Sequence, residues 1–179
     1  MFDNIILKKY LTNEKRISHS ISTAMFMKKY AIFFDIDPEK AYFAGLYHDI
    51  AKEMPIEDVI KLAKNFKNRD IFEIKYFDFK VNNPVLLHGV AAAEILIKEY
   101  NITDREILIS ICQHTTGGVN LPRLAQWTYL ADYCEPLRKY SDSMKIRKII
   151  TKEKNSYKAY YYSYNYILSH LLDKNKLIC

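Results

Sequence analysis

The stretch AYFAGLYHDIAK at residues 41–52 decides how the rest of the chain is read. Wound as a helix at about 100° per residue, it sets Ala41, Ala44, Gly45, His48 and Lys52 on one side and Phe43, Leu46 and Ile50 on the other. The small residues leave room beside the imidazole. Asp49 follows about 100° round from His48, so an imidazole and a carboxylate emerge from one turn, as two ligands of one ion or as one ligand bridging two. A His-Asp pair alone also fits a histidine satisfied by a buried hydrogen bond beside a helix-end carboxylate. Its meaning therefore depends on the other histidines.

Around this stretch the chain is patterned for helices. Its 179 residues are 49% apolar and 27% charged, an ordinary globular balance that can fill one sizeable core. With 4 Gly, 5 Pro and neither Asn-Gly nor Asp-Gly, hairpin signals are missing, which predicts an all-α protein. We expect one domain over 1–179 of roughly seven to nine helices, with a helical extension at about 141–179. A net charge of +6 disposes the surface towards polyanions, but the lysines are dispersed, as on a solvated surface, and no specific nucleic-acid partner is expected. Cys112, Cys134 and Cys179 form no CxxC pair, so a cytoplasmic protein is expected, with neither a disulfide framework nor a thiolate zinc site. No stretch resembles a signal peptide or a membrane span, which predicts no membrane partner.

Residues 3–11 predict a short amphipathic helix, and Thr12 a cap for a longer one from Asn13 to Phe34. That second helix carries His19 in an aromatic stripe with Phe26, Tyr30 and Phe33, and Arg16 on an adjoining face as a surface cation or a phosphate contact. Asp37-Pro38 opens the helix of His48 and Asp49, with Lys52 as a charge beside the pair or a complement to the helix dipole. A further helix is expected over 56–66. The aromatic segment at 72–79 is expected to be loop or distorted helix, packing beneath a loop or closing as a lid.

Asn83-Pro84 predicts a helix to about Tyr100 with His88 in its second turn, among Ala91, Ala92 and Ile95. Thr103 and Glu106 make a capping box for a helix ending near Gln113, with His114 and the turn Thr115-Thr116-Gly117-Gly118 after it. That turn offers backbone N–H groups to an anion. Pro122 opens a helix carrying Asp132 among apolar neighbours, a carboxylate that needs a partner there, and Pro136 ends it, leaving Glu135 and Arg138 on the turn beyond. From Ser141 the chain is expected to return to helix and finish with Tyr157, Tyr160, Tyr161, Tyr164, Leu168 and Leu171 at helical spacing, as core or as the face of a homodimer. His170 falls off that stripe, in solvent.

The order His19, His48-Asp49, His88, His114, Asp132 resembles the HD-domain superfamily of metal-dependent phosphohydrolases, with His88 and His114 matching the subset that holds two metals. It is still more similar to the YqeK family of bacterial symmetrical dinucleoside tetraphosphatases, through Arg16 to His19, AGLYHDIAK, LLHG at 86–89, HTTG at 114–117 and ADYCEPLR at 131–138. The resemblance implies an HD-domain helical bundle with its core at about 14–140 and a metal set of His19, His48, Asp49, His88, His114 and Asp132. It also implies a dinuclear iron cofactor; the nitrogen and oxygen donors themselves admit iron, manganese, cobalt or zinc. It further implies a dinucleoside polyphosphate or other nucleotide as substrate and cleavage of diadenosine tetraphosphate to two ADP. We expect a metal-activated hydroxide to attack phosphorus in line, with Asp49 and Lys52 in the catalytic machinery. Lys52 and Arg138 are expected to hold phosphate oxygens, with Arg16, Thr115, Thr116 and Gly117 as weaker substrate contacts. An HD hydrolase of guanosine tetraphosphate, a deoxynucleotide or a cyclic dinucleotide would keep the same ligands, whereas a non-catalytic nucleotide sensor is expected to have lost some of them.

Overall fold

Asp37 starts the helix that the histidine-aspartate pair terminates, because its carboxylate accepts from the backbone N–H groups of Glu39 and Lys40 at 2.7 and 3.0 Å while Pro38 fills the first helical position. The structure, a computed structural model, describes residues 3–67, 84–118 and 120–174. Among them are the helices α1 (Asp3–Tyr10), α2 (Glu14–Tyr30), α3 (Pro38–Tyr47), α4 (Ile56–Lys67), α5 (His88–Tyr100), α6 (Arg105–Gln113), α7 (Arg123–Cys134), α8 (Ser141–Lys148) and α9 (Ser156–Asp173). No strand occurs among the described residues, so the all-α expectation holds. The aromatic stretch at 72–79 lies outside them. No helix among them is long and apolar enough to cross a membrane.

Helix α3 lies in the middle, packed on α2, α6 and α7, and α5 bridges α4 to α6. Two glycines permit the closest approaches. A Cβ on Gly45 would sit 2.9 Å from the Ala24 Cα and 2.8 Å from the Met27 sulfur, so α3 can lie against α2 only with hydrogen at that position. A Cβ on Gly89 would sit 2.6 Å from the Ile111 carbonyl oxygen and 3.1 Å from His114 Nδ1, which sets the same condition for α5 against α6. Trp127 then ties α7 to α2: it is fully buried, donates its indole N–H to the Met27 carbonyl at 3.1 Å and stacks on Phe34 with centroids 4.1 Å apart. The segment expected as an extension contributes Ile146, Ile149, Ile150 and Ala159 to the same core.

Several boundaries differ from those the sequence predicts. Helix α3 stops at Tyr47 instead of running to Lys52, because the His48 ring takes the Gly45 carbonyl at 2.8 Å that would otherwise accept the next helical N–H. Beyond it the backbone tightens into turns, with Lys52 N–H on Asp49 O at 3.0 Å and Met54 N–H on Ala51 O at 3.2 Å. Asn13, not Thr12, caps α2, while Thr12 donates from its N–H and hydroxyl to Glu53. The 3₁₀ turns Ala31–Phe34 and Pro84–Leu87 replace the ends of two expected helices, so His88 is the first residue of α5 and not a second-turn residue. Asp104 caps α6 in place of the Thr103 and Glu106 box, since it also takes the Lys40 ammonium at 2.9 Å.

The last segment is broken by a π turn at Ile149–Glu153 before α9 begins. In α9 it is Ala159 and Ser163 that are buried, which leaves Tyr157 and Tyr161 exposed and Tyr160 and Tyr164 half-buried. Gly45→Ala is expected to lower the unfolding free energy by about 1–3 kcal/mol through overpacking of α2 against α3. Urea denaturation of the two proteins measures it, and equal midpoints would show that the helices can separate without cost.

Candidate metal centre

Three histidines are oriented by the same local device. His48, His88 and His114 each direct Nδ1 at the carbonyl three residues back, Gly45 at 2.8 Å, Val85 at 2.7 Å and Ile111 at 2.7 Å. A carbonyl only accepts, so each Nδ1 carries the proton and each Nε2 presents a lone pair. These Nε2 atoms meet at Asp49. Asp49 Oδ1 lies 3.0 Å from His88 Nε2 and 3.2 Å from His114 Nε2, and Oδ2 lies 3.6 Å from His48 Nε2.

The result is a concentration of acceptors with too few protons between them. His88 Nε2 and His114 Nε2 are 3.0 Å apart, although both rings hold their protons on the far nitrogen. His48 Nε2 is buried and has no hydrogen-bond partner. Thr115 Oγ1, 3.0 Å from His114 Nε2 and 3.4 Å from His88 Nε2, can satisfy only one of them with its single proton. Burial lowers the pKa of His88, which favours the neutral ring. A buried carboxylate facing neutral imidazole lone pairs fits a cation, and the nitrogen and oxygen donors fit a transition metal.

A second cluster shares His48. His19 on α2, His48 and Asp132 on α7 place their ligand atoms within 4.8 Å of one another, as do His48, Asp49 and His114. His19 Nε2 is 2.9 Å from Asp132 Oδ1, and its Nδ1 is 3.1 Å from Glu135 Oε1. Burial opposes a charge on this ring, but the two carboxylates prevail and lift its pKa to about 9. The imidazolium donates from both nitrogens, and its second proton stands where a metal would accept the lone pair. Asp132, expected among apolar neighbours, is partly exposed and lies among polar ones, with its partners in His19 and Arg138.

The expected substrate contacts divide into two groups. Lys52 Nζ lies 3.0 and 2.9 Å from the two oxygens of Asp49, and an Arg138 Nη lies 2.9 Å from Asp132 Oδ1, so both cations border the clusters. Arg16 faces away, donating to the Lys52 carbonyl at 2.8 Å, with Glu53 3.8 Å from its Nε. Thr116 donates its hydroxyl to Gln113 Oε1, and the Gly117 N–H is committed to the Gln113 carbonyl at 2.9 Å, which removes two donors from the expected anion turn. Glu135, assigned no role from sequence, is nearly fully buried against His19. The signal for it was Pro136, because a residue before proline is pushed to extended backbone, and ψ of 160° at Glu135 marks the end of α7.

The family model described as HD domain matches residues 16–137. The chain belongs to the HD domain family. It is 30% identical over 149 residues to a Bacillus subtilis protein named bis(5'-nucleosyl)-tetraphosphatase, symmetrical, covering 83% of this chain and 76% of that one. It is 31% identical over 132 residues to the Staphylococcus aureus protein of the same name, covering 74% of this chain and 64% of that one. A Mycoplasma genitalium protein named "Probable nicotinate-nucleotide adenylyltransferase/Ap4A hydrolase" is 28% identical over 92% of this chain, which spans only 46% of that protein's length. Among solved structures, a Clostridium acetobutylicum protein described as a "predicted HD superfamily hydrolase involved in NAD metabolism" superposes with a TM-score of 0.85 at 32% identity, covering all of this chain and 91% of that one. The HD fold of the chain follows from this likeness.

In the metal-free protein His19 binds its proton more tightly folded, at about 9, than unfolded, at about 6.5. Its contribution to stability is therefore complete below the unfolded value and is lost as the pH rises through the folded one. The stability gap between wild type and His19→Ala, measured by urea denaturation in chelator, is expected to narrow between about pH 6 and about pH 10. A gap that stays constant would mean that His19 is not held by its carboxylates.

Proposed function

We propose that the chain is a metal-dependent hydrolase that splits diadenosine tetraphosphate at its central anhydride into two ADP. The observation that carries this is the meeting of the His48, His88 and His114 lone pairs on the buried carboxylate of Asp49. The relatives named symmetrical tetraphosphatases support the substrate and the position of cleavage. One ion is assigned to His19, His48 and Asp132 and a second to His88 and His114, with Asp49 shared. Bound there, the ions supply Lewis-acid charge and a water of lowered pKa. Iron is the metal we assign. Manganese, cobalt and zinc meet the same donors.

The chain's own residues do the rest. Asp49 and Asp132 hold negative charge where cations must gather, and the carbonyls behind His48, His88 and His114 fix the tautomers that leave Nε2 free. Lys52 and Arg138 rest on those carboxylates in the metal-free protein. Both cations border the clusters and would be available to phosphate oxygens of a substrate held there, Arg138 as a planar fork and Lys52 as a point charge. In the overall reaction one water adds to an inner phosphorus, the bond from that phosphorus to the bridging oxygen breaks, and the second ADP departs with that oxygen. Cys112 and Cys134, buried free thiols, support a reducing cytoplasmic setting.

Incubation of metal-loaded protein with diadenosine tetraphosphate, followed by ion-exchange chromatography, is expected to give ADP alone. Asp49→Ala is expected to lower the rate by more than about 100-fold, beyond the 10–100-fold typical of losing an outer partner of a metal ligand. ATP with AMP would refute central attack. No turnover by metal-loaded protein would transfer the proposal to guanosine tetraphosphate, deoxynucleotides or cyclic dinucleotides, tested in the same assay.

A further inference from the structure

His19 is the exception among the four clustered histidines. The other three sit at helix boundaries, where a carbonyl three residues back is free to accept from the ring. His19 lies inside α2, and its Nδ1 turns to a side chain of another element instead of a carbonyl of its own helix. That partner is the Glu135 carboxylate, which arrives from the end of α7 and is only 1% exposed. Its other oxygen accepts from the Leu137 N–H at 2.6 Å and from the Ser22 hydroxyl, and Arg138 Nε lies 3.9 Å from Oε1. This buried carboxylate, held by three other groups, touches one ring of the clusters, that of His19.

We propose that Glu135 is a positioning residue that fixes His19 with its proton on Nδ1 and its lone pair on Nε2, and so sets the metal affinity of the His19, His48 and Asp132 cluster separately from its neighbour. The proposal rests on the reading of that cluster as a metal site. An anionic partner makes the ligand nitrogen more basic than a carbonyl does, so the two clusters differ in affinity, with the His19 cluster the tighter. The isosteric change Glu135→Gln does more than remove a charge. The Leu137 N–H can only donate, so the amide oxygen must occupy the Oε2 position and the NH₂ must face His19 Nδ1. His19 then accepts at Nδ1 and carries its proton on Nε2, the tautomer that cannot bind metal.

Cobalt(II) titration of the metal-free protein by calorimetry tests this. Wild type is expected to bind two ions. Glu135→Gln should weaken one of them by about 10–100-fold and leave the other unchanged. In a His19→Ala background the same substitution should have no further effect, because His19 is the member of that cluster it touches. Ser22→Ala, which removes a donor to the carboxylate but not the contact with His19, should bind both ions nearly as wild type does. Unchanged affinity in Glu135→Gln, equal weakening at both sites, or an added loss in the His19→Ala background would overturn the proposal. Wild type that binds no cobalt would overturn the metal reading as well. Should Glu135→Gln fail to fold, the long-range ¹H–¹⁵N spectrum of zinc-loaded wild type decides: a His19 proton on Nδ1 is expected, and a proton on Nε2 refutes the role of Glu135.

Discussion

Asp49 is a carboxylate that is only 2% exposed and meets His48, His88, His114 and Lys52. Removing an ion from water costs several kcal/mol even after the protein relaxes, and only well-placed opposite charge and hydrogen bonds return it. Lys52 supplies part of that return, and the rest of the bundle gathers donor atoms around the carboxylate that suit a cation. Helix α3 delivers the aspartate and His48, α5 and α6 deliver His88 and His114, and α2 and α7 bring the second cluster against the shared His48.

Such convergence demands backbones closer than ordinary side chains permit. The glycine contacts fall at the two crossings that matter, α3 on α2 through Gly45 and α5 on α6 through Gly89. At the second crossing a single atom serves twice: the Ile111 carbonyl oxygen lies where a Gly89 Cβ would collide, and it also orients the His114 ring at 2.7 Å. One carbonyl thus serves both the packing of α5 on α6 and the orientation of a ligand.

The cations on the rim complete the electrostatics. Without metal, Lys52 neutralises Asp49, Arg138 neutralises Asp132, and His19 becomes an imidazolium between two carboxylates. Each of these positive charges occupies ground that a metal ion would contest. Their proximity means that an ion bound there would compete with the His19 proton and with the Lys52 and Arg138 side chains.

The helical class, the start at Asp37-Pro38 and the residues of both clusters were legible in the sequence, because capping chemistry is local and because His and Asp in that order leave few alternatives. The end of α3 was not legible: periodicity carries a helix through His48, and only the fold shows the ring taking the Gly45 carbonyl. Nor was the commitment of the Gly117 N–H to Gln113, or the exposure of Tyr157 and Tyr161, since each depends on which side of an element meets a neighbour. By itself the sequence determined which side chains could carry charge and coordinate, along with the local turns that present them. The tertiary structure alone decided which nitrogen of His48, His88 and His114 is free, that His48 belongs to both clusters and that Glu135 stands behind His19. Those are relations between helices far apart in the chain, and no local pattern encodes a distance across the core.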